Sequence, residues 1–67
     1  MSYERFQEKV NALIKRAGGN IKVWFSTDEE KGKHTARCSD GTTIIGNSTV
    51  LKLTVRWGSG HQSMVAV

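Results

Sequence analysis

Residues 51–57 read LKLTVRW, and this stretch decides which kind of fold the chain can form. Apolar and polar side chains alternate along it, which is the pattern of a β-strand with one buried face and one solvated face. We therefore predict a strand over about 50–57. Its predicted inward side chains are Leu51, Leu53, Val55 and Trp57, and its predicted outward side chains are Lys52, Thr54 and Arg56.

The same period of two appears on both sides of this stretch. Ile21, Val23 and Phe25 alternate with Lys22 and Trp24, which indicates a half-buried strand. Residues rich in Gly, Asp, Asn and Ser separate the shorter segments and favour turns. The predicted strands are about 20–26, 33–38, 42–45 and 63–67, and the predicted connections between strands are 27–32, 39–41, 46–48 and 58–60.

The first residues of the chain repeat at spacings of three and four, which is typical of one face of a helix. Ser2 is a predicted N-cap, because its hydroxyl can accept a hydrogen bond from the free amides of the first turn. Gly18-Gly19 supply a left-handed stop. We therefore predict a helix over about 3–17. Its predicted buried side chains are Tyr3, Phe6, Val10, Leu13, Ile14 and Ala17.

This order of segments predicts an α+β fold. An N-terminal helix packs on a small, strongly bent antiparallel sheet of four to five strands, in α-β-β-β-β-β order. The 67 residues leave room for a single domain, 1–67, with one thin core. A lone cysteine, Cys38, is typical of a reducing compartment, so we expect a cytoplasmic location. Apolar runs of only a few residues predict no membrane segment.

The net charge of +4 lies in the second half of the chain. Residues 1–30 carry five basic and five acidic side chains, whereas residues 31–67 carry five basic side chains and one acidic side chain, Asp40. An uneven basic excess favours an anionic partner.

The pleat of the predicted sheet collects these basic side chains on the face opposite the helix. Cations neutralise phosphates, and an aromatic plane stacks on unpaired bases. The sequence therefore predicts a non-enzymatic nucleic-acid-binding protein, with single strands slightly favoured. The predicted binding residues are Lys22, Trp24, Lys33, Arg37, Lys52, Arg56 and His61.

Other interpretations of the same features stay open. Lysine, arginine and threonine are common on solvated sheet faces, where like charges prevent aggregation. An acidic protein would suit a basic face equally well, and the chain would then be a small interaction or regulatory module without a nucleic-acid role. The tail 64–67, MVAV, is an apolar final strand without a charged guard residue, which favours edge pairing and a homodimer.

Residues 55–63, VRWGSGHQS, allow a phosphate-binding loop or a hairpin turn. Phosphate loops with a clear mechanism lead from a strand into a helix, and the P-loop also carries a lysine. The residues that follow here are too few and too β-like for a helix, so we predict a hairpin turn. His61 beside it could hold a phosphate or a 2′-hydroxyl. A small ribonuclease that uses His61 stays an alternative, although no partner base is evident.

The residues with reactive side chains are His34, Cys38, Asp40 and His61. His34 and Cys38 are about 13 Å apart on a strand that rises ~3.3 Å per residue, so they cannot share a metal ion without a sharp bend. Two histidines and one cysteine are also too few for a closed zinc site without carboxylates. Cys38 is predicted to be a small buried side chain. We therefore predict no catalytic residue, no metal site and no cofactor.

Overall fold

The computed structural model describes residues 1–18 and 20–66, except for the side chains of residues 17, 50 and 51. Within these residues one helix is followed by five strands in a single open antiparallel sheet, so the predicted α+β fold and its element order are confirmed. Gly19 and Val67, which the sequence assigns to the helix stop and to the last strand, lie outside the described residues. The elements are α1 (Tyr3–Ala17), β1 (Val23–Asp28), β2 (Lys33–Cys38), β3 (Thr43–Asn47), β4 (Val50–Arg56) and β5 (Gln62–Ala66).

Both ends of α1 are capped by local hydrogen bonds. The backbone N–H of Arg5 donates to Ser2 Oγ at 3.1 Å, so Ser2 is the N-cap that the sequence predicts. At the other end Gly18 has a φ of 70° and its N–H donates to the Lys15 carbonyl. A left-handed residue at this position suits glycine, which has no Cβ atom to clash with the preceding turn.

The sheet is a simple meander in which each strand pairs with the next one along the chain. Its pairing register changes the predicted limits of β1 and β3. β1 begins at Val23 rather than at residue 20, and it continues to Asp28, which pairs with Lys33 at the start of β2. β3 extends to Asn47, which pairs with Lys33 on one side and with Val50 on the other. Pairing with neighbouring strands therefore extends both strands into residues predicted as connections.

Gly46 was predicted to lie in a connection, but it is a packing residue within β3. A Cβ atom at this position would lie 2.5 Å from Phe6 Cδ1 and 3.2 Å from a methyl group of Leu53. The absent side chain makes room for the aromatic ring, so this glycine serves close packing of helix against sheet. The β3–β4 register shifts between Ile45 and Asn47, at the same place in the strand.

The core lies between α1 and the face of the sheet beneath it. The predicted inward orientation of Leu53 and Val55 is confirmed, and the side chain of Leu51 lies outside the described part. Val23 and Phe25 are partly buried and pack against the core from β1. The buried core side chains are Phe6, Val10, Ala36, Ile44, Leu53 and Val55.

Two hairpin turns of the same construction, residues 38–42 and 57–61, close one end of the sheet. In each turn the first residue donates its N–H to the carbonyl of the fifth, and the fourth donates to the carbonyl of the first. The fourth residues, Gly41 and Gly60, have φ of 92° and 93°. This is a three-residue loop that ends in a left-handed glycine, so the hairpin interpretation of residues 55–63 is confirmed.

Trp57 differs from its predicted inward position. The side chain is 39% exposed, because it lies beyond the last residue of β4 at the open end of the sheet. Its indole Nε1 donates to Ser63 Oγ at 3.1 Å. Trp57 therefore covers the margin of the core instead of its centre.

Candidate nucleic-acid interface

The face of the sheet that points away from α1 is called here the outer face. Within residues 1–18 and 20–66, α1 is the one helix, and it packs on the other side of the sheet. The strand register arranges the outer face in three rows across the sheet. The rows are Trp24–Arg37–Thr43–Arg56–Gln62, then Ser26–Thr35–Ile45–Thr54–Met64, and then Asp28–Lys33–Asn47 together with Lys52–Ala66.

The first row brings an indole ring together with two guanidinium groups. Trp24 pairs directly with Arg37, and Arg56 lies two strands further along the row. Because neighbouring strands are ~4.8 Å apart, the backbones of the two arginines are about 10 Å apart. Trp24 is 59% exposed and both arginines are exposed, so all three side chains are accessible.

Lys33 and Lys52 place a second pair of cations at the other end of the same two strands. Lys33 lies four residues from Arg37 on β2, and Lys52 lies four residues from Arg56 on β4. Each separation is about 13 Å along the strand. The four cations therefore surround a neutral centre. This centre consists of Thr35, Ile45 and Thr54, which are all partly buried.

Asp28 is the single acidic residue of the three rows, and it lies at a corner of the outer face. Its Oδ1 accepts hydrogen bonds from the backbone N–H groups of Glu30 at 3.1 Å and Lys31 at 3.3 Å. The carboxylate is thus engaged by the β1–β2 connection. Within the three rows the four cations are therefore accompanied by one negative charge, which lies at the margin of the face.

Lys22 and His61, the remaining predicted binding residues, lie outside the rows. Lys22 precedes β1, where its carbonyl accepts from the Ser39 N–H and its own N–H donates to Ser39 Oγ. The alternation of β1 turns its side chain to the same side as Trp24, so Lys22 extends the outer face. His61 instead accepts at its carbonyl from the Trp57 N–H and belongs by alternation to the helix side. The structure therefore does not bring His61 together with the other predicted residues.

His34 is buried on the helix side. Its Nε2 lies 3.2 Å from the Met1 carbonyl and its Nδ1 lies 2.8 Å from Thr27 Oγ1. A carbonyl only accepts, so Nε2 donates to Met1, and Nδ1 shares a hydrogen bond with the threonine hydroxyl. The ring also stacks on Tyr3, with centroids 5.5 Å apart. These contacts give His34 a structural position that joins β2 to the N-terminal segment.

Cys38 is 8% exposed and unbonded, so the prediction of a small buried cysteine is confirmed. Burial, and secondarily the charge of Asp40, raises the pKa of its thiol. A thiol with a raised pKa is mostly protonated at neutral pH and is a poor nucleophile. The Asp40 carboxylate accepts from the Thr42 N–H at 3.0 Å, and this hydrogen bond lowers the pKa of Asp40.

The sequence prediction missed the outer-face residues of β3 and β5. Thr43 and Ile45 on β3 and Met64 on β5 point to this side, and Met64 is 67% exposed. The two isoleucines of β3 are adjacent, so the short segment did not reveal which one faces the core. Once Ile44 is known to be buried, alternation along the strand places Thr43 and Ile45 on the outer face.

Among residues 1–18 and 20–66 no three His, Cys, Asp or Glu side chains come together as metal ligands. The described helix is neither long enough nor apolar enough to cross a membrane. Comparison of the chain with protein-family models, curated proteins and solved structures finds no match. The outer face must therefore be interpreted from its own chemistry.

Proposed function

We propose that this protein binds nucleic acid without catalysis, through the outer face. The observation that carries the proposal is the first row, in which the register aligns Trp24, Arg37 and Arg56 on the uncovered side of the sheet. Arginine binds phosphate oxygens through a planar fork of N–H donors, and an exposed indole offers a plane for base stacking. Both kinds of contact are then available to one ligand.

Single-stranded nucleic acid fits this face better than a duplex. Five strands ~4.8 Å apart span about 19 Å, which is wider than the ~12 Å major groove of B-DNA. The sheet therefore cannot enter the groove to read base edges. A single strand laid across the rows can place phosphates at the cations and an unstacked base on Trp24, as sheet-surface binders of RNA do.

Each predicted binding residue has its own role in the proposal. Arg37, Arg56, Lys33 and Lys52 neutralise phosphates, and Lys22 extends the cationic path beyond Trp24. The hydroxyls of Thr35 and Thr54 lie in the neutral centre, where they are available to hydrogen-bond sugars or bases. His61 contributes only where the ligand passes round the end of the β4–β5 hairpin.

A salt-dependent binding measurement tests the proposal. Affinity for a short fluorescent single strand is measured between about 50 and 200 mM salt for the wild type and for the Arg37→Ala/Arg56→Ala variant. Each lost phosphate contact lowers the log–log salt slope by about 0.7 for single strands, so the variant should lose about 1.4. Trp24→Ala should weaken binding by about 1–3 kcal/mol with little change in slope.

Arg5→Ala/Arg16→Ala is the matched control, because it also removes two arginine side chains, from exposed positions of α1. It should leave affinity and slope nearly unchanged. Equal losses in the control and in the outer-face variant would show that only net charge matters and would remove the outer face from the proposal. A duplex of the same length, bound as tightly as the single strand, would contradict the strand preference.

An acidic protein is the second candidate partner. The observation that favours it is the pair of apolar side chains, Ile45 and exposed Met64, in the middle row between the cations. Protein interfaces surround apolar contacts with a polar rim, and the chain would then be an interaction or regulatory module. No binding of either strand form at low salt, together with an intact fold, would favour this function. The free thiol of Cys38 supports a reducing, cytoplasmic location for both functions.

A further inference from the structure

The edge of β5 presents unpaired backbone groups in the described part of the chain. β5 is the last strand in the sheet order, so among residues 1–18 and 20–66 no strand adjoins one of its long sides. The hydrogen bond from the Trp57 N–H to the His61 carbonyl fixes which residue pairs are hydrogen-bonded along the β4–β5 ladder. In an antiparallel ladder, hydrogen-bonded and non-hydrogen-bonded residue pairs alternate along the strands. Gln62, Met64 and Ala66 belong to the non-hydrogen-bonded pairs, so their N–H and C=O groups point away from β4.

β5 also lacks the residues that keep sheet edges apart. Its sequence, QSMVA, contains neither a charged residue nor a proline. The opposite edge strand, β1, ends at Asp28 and is followed by Glu29 and Glu30. Charged side chains at an edge oppose pairing with another chain, and β5 has no such opposition.

We infer that β5 pairs antiparallel with β5 of a second copy of this chain, on a two-fold axis at Met64. Met64 then lies opposite Met64 of the second copy, and Gln62 lies opposite Ala66 of the second copy. Each of these residues offers one donor and one acceptor to the edge, so the arrangement forms about six backbone hydrogen bonds, two for each pair. The strand is complementary to itself in this register.

The side chains on both faces of β5 support the same register. On the outer face, Met64 is 67% exposed, and pairing brings it against its own copy. On the helix side, an apolar groove runs beside β5, lined by Leu13, Leu53 and Val65 with Lys9 and Arg16 at its rim. Pairing places the second copy's Ser63 opposite Val65 at this groove, and the second copy's Val65 opposite Ser63. The second copy therefore covers apolar surface on both sides of the new strand pair.

The basic side chains of the outer face do not prevent this pairing. The nearest cations across the axis are Lys52 of one copy and Arg56 of the other. Lys52 pairs with Ala66, and Arg56 pairs with Gln62. Ala66 of one copy and Gln62 of the other are opposite each other in the new strand pair. Three strand spacings, about 14 Å, therefore separate the nearest cations across the axis. This distance exceeds the Debye length of about 8 Å at physiological salt, so their repulsion is largely screened.

Pairing extends the outer face, because antiparallel neighbours keep paired side chains on the same side of a sheet. The two first rows then lie on one continuous surface with a Trp24 at each end. This consequence rests on the proposed nucleic-acid function, in which one strand could then contact both copies. The pairing itself is independent of any nucleic acid.

Sedimentation equilibrium without nucleic acid, between about 10 µM and 1 mM, tests the pairing. A contact of one short strand is small, so we expect a weak dimer with a Kd of about 0.1 mM. A strictly monomeric wild type at every concentration would overturn the inference. It would leave the nucleic-acid proposal standing, since that proposal requires only one copy.

Charged substitutions of Met64, which lies on the proposed two-fold axis, test whether β5 is the edge that pairs. Met64→Lys and Met64→Glu each place like charges opposite one another and should weaken dimerisation by about tenfold or more. An equimolar mixture of the two should recover a heterodimer, since opposite charges then meet, and this recovery excludes misfolding as the cause. Met64→Thr is the uncharged control and should still dimerise. A dimer that both charged variants leave unchanged would contradict the β5 register.

Discussion

The two faces of the sheet are built by the same strands, yet adjacent residues on each strand have opposite environments. On the helix side, Phe6, Leu53 and Val55 are at most 1% exposed. On the outer face, Trp24 and Met64 are more than half exposed. One helix covers one face of a five-stranded sheet. The comparison shows that stability is concentrated on one side of this molecule, while the other side is free to vary its chemistry.

The largest effect is expected from removing the aromatic anchor of the covered face. Phe6→Ala should lower the free energy of unfolding by about 3–5 kcal/mol, through lost burial and the cavity that remains. This loss approaches the whole stability expected for a chain of this length, about 3–10 kcal/mol. Trp24→Ala removes an even larger side chain from the outer face and should change stability by less than about 1 kcal/mol. Urea unfolding followed by circular dichroism measures both. Similar losses of stability in the two variants would contradict the conclusion that the covered face contributes more to stability than the outer face.

A smaller effect is expected from adding one methyl group between helix and sheet. Gly46→Ala places a Cβ atom against the Phe6 ring, at 2.5 Å from Cδ1 and 2.9 Å from Cε1. The packed ring and strand must shift, which should cost about 1–3 kcal/mol. The same substitution in a Phe6→Leu background should cost less, because the smaller side chain leaves space. Additive losses in this double-mutant cycle would show that the ring does not limit residue 46.

The smallest effect is expected from Asp40 at the open end of the sheet, where it depends on pH. The Thr42 N–H donates to the Asp40 carboxylate and lowers the pKa of this side chain in the folded protein. Its stabilising contribution is therefore complete above the pKa of the unfolded chain and is lost as the pH falls through the lower folded pKa. Thermal melts between neutral pH and about pH 2 should show a larger acid loss of Tm in the wild type than in Asp40→Asn. Parallel pH profiles for the two proteins would contradict this role.

Alternation allowed the covered face to be predicted more completely than the outer one. Leu53 and Val55 could be placed because a regular run of apolar and polar residues admits only one phase. On β2 the apolar residues Ala36 and Cys38 lie two positions apart, and both are buried. The middle of the outer face could not be derived in the same way, because adjacent isoleucines on β3 are compatible with either phase. The exposure of Trp57 depends on where β4 ends, and pairing with β5 determines that position.

Of the reactive side chains, Cys38 could be placed from the sequence, whereas the contacts of His34 could not. Burial of Cys38 follows from its place on the apolar phase of β2. The surroundings of His34 required the structure, because its partners Met1 and Thr27 come from different segments. Likewise, the alignment of Trp24 with Arg37 and Arg56 needs the register of four strands, which single-strand patterns do not contain. Local patterns therefore predicted Trp24 and the cations of the outer face but not its β3 and β5 residues, and pairing determined their arrangement.

The meander order of the sheet has a consequence for how the chain folds. Every strand pair joins neighbours in sequence, so closing each hairpin costs little loop entropy and can occur early. Docking of α1 is different, since Phe6 must find residues some forty positions away, such as Gly46 and Leu53. We therefore expect the hairpins to be largely formed in the folding transition state and the helix contacts to be completed later. The covered face, which contributes most to stability, would then be the last part of the molecule to assemble.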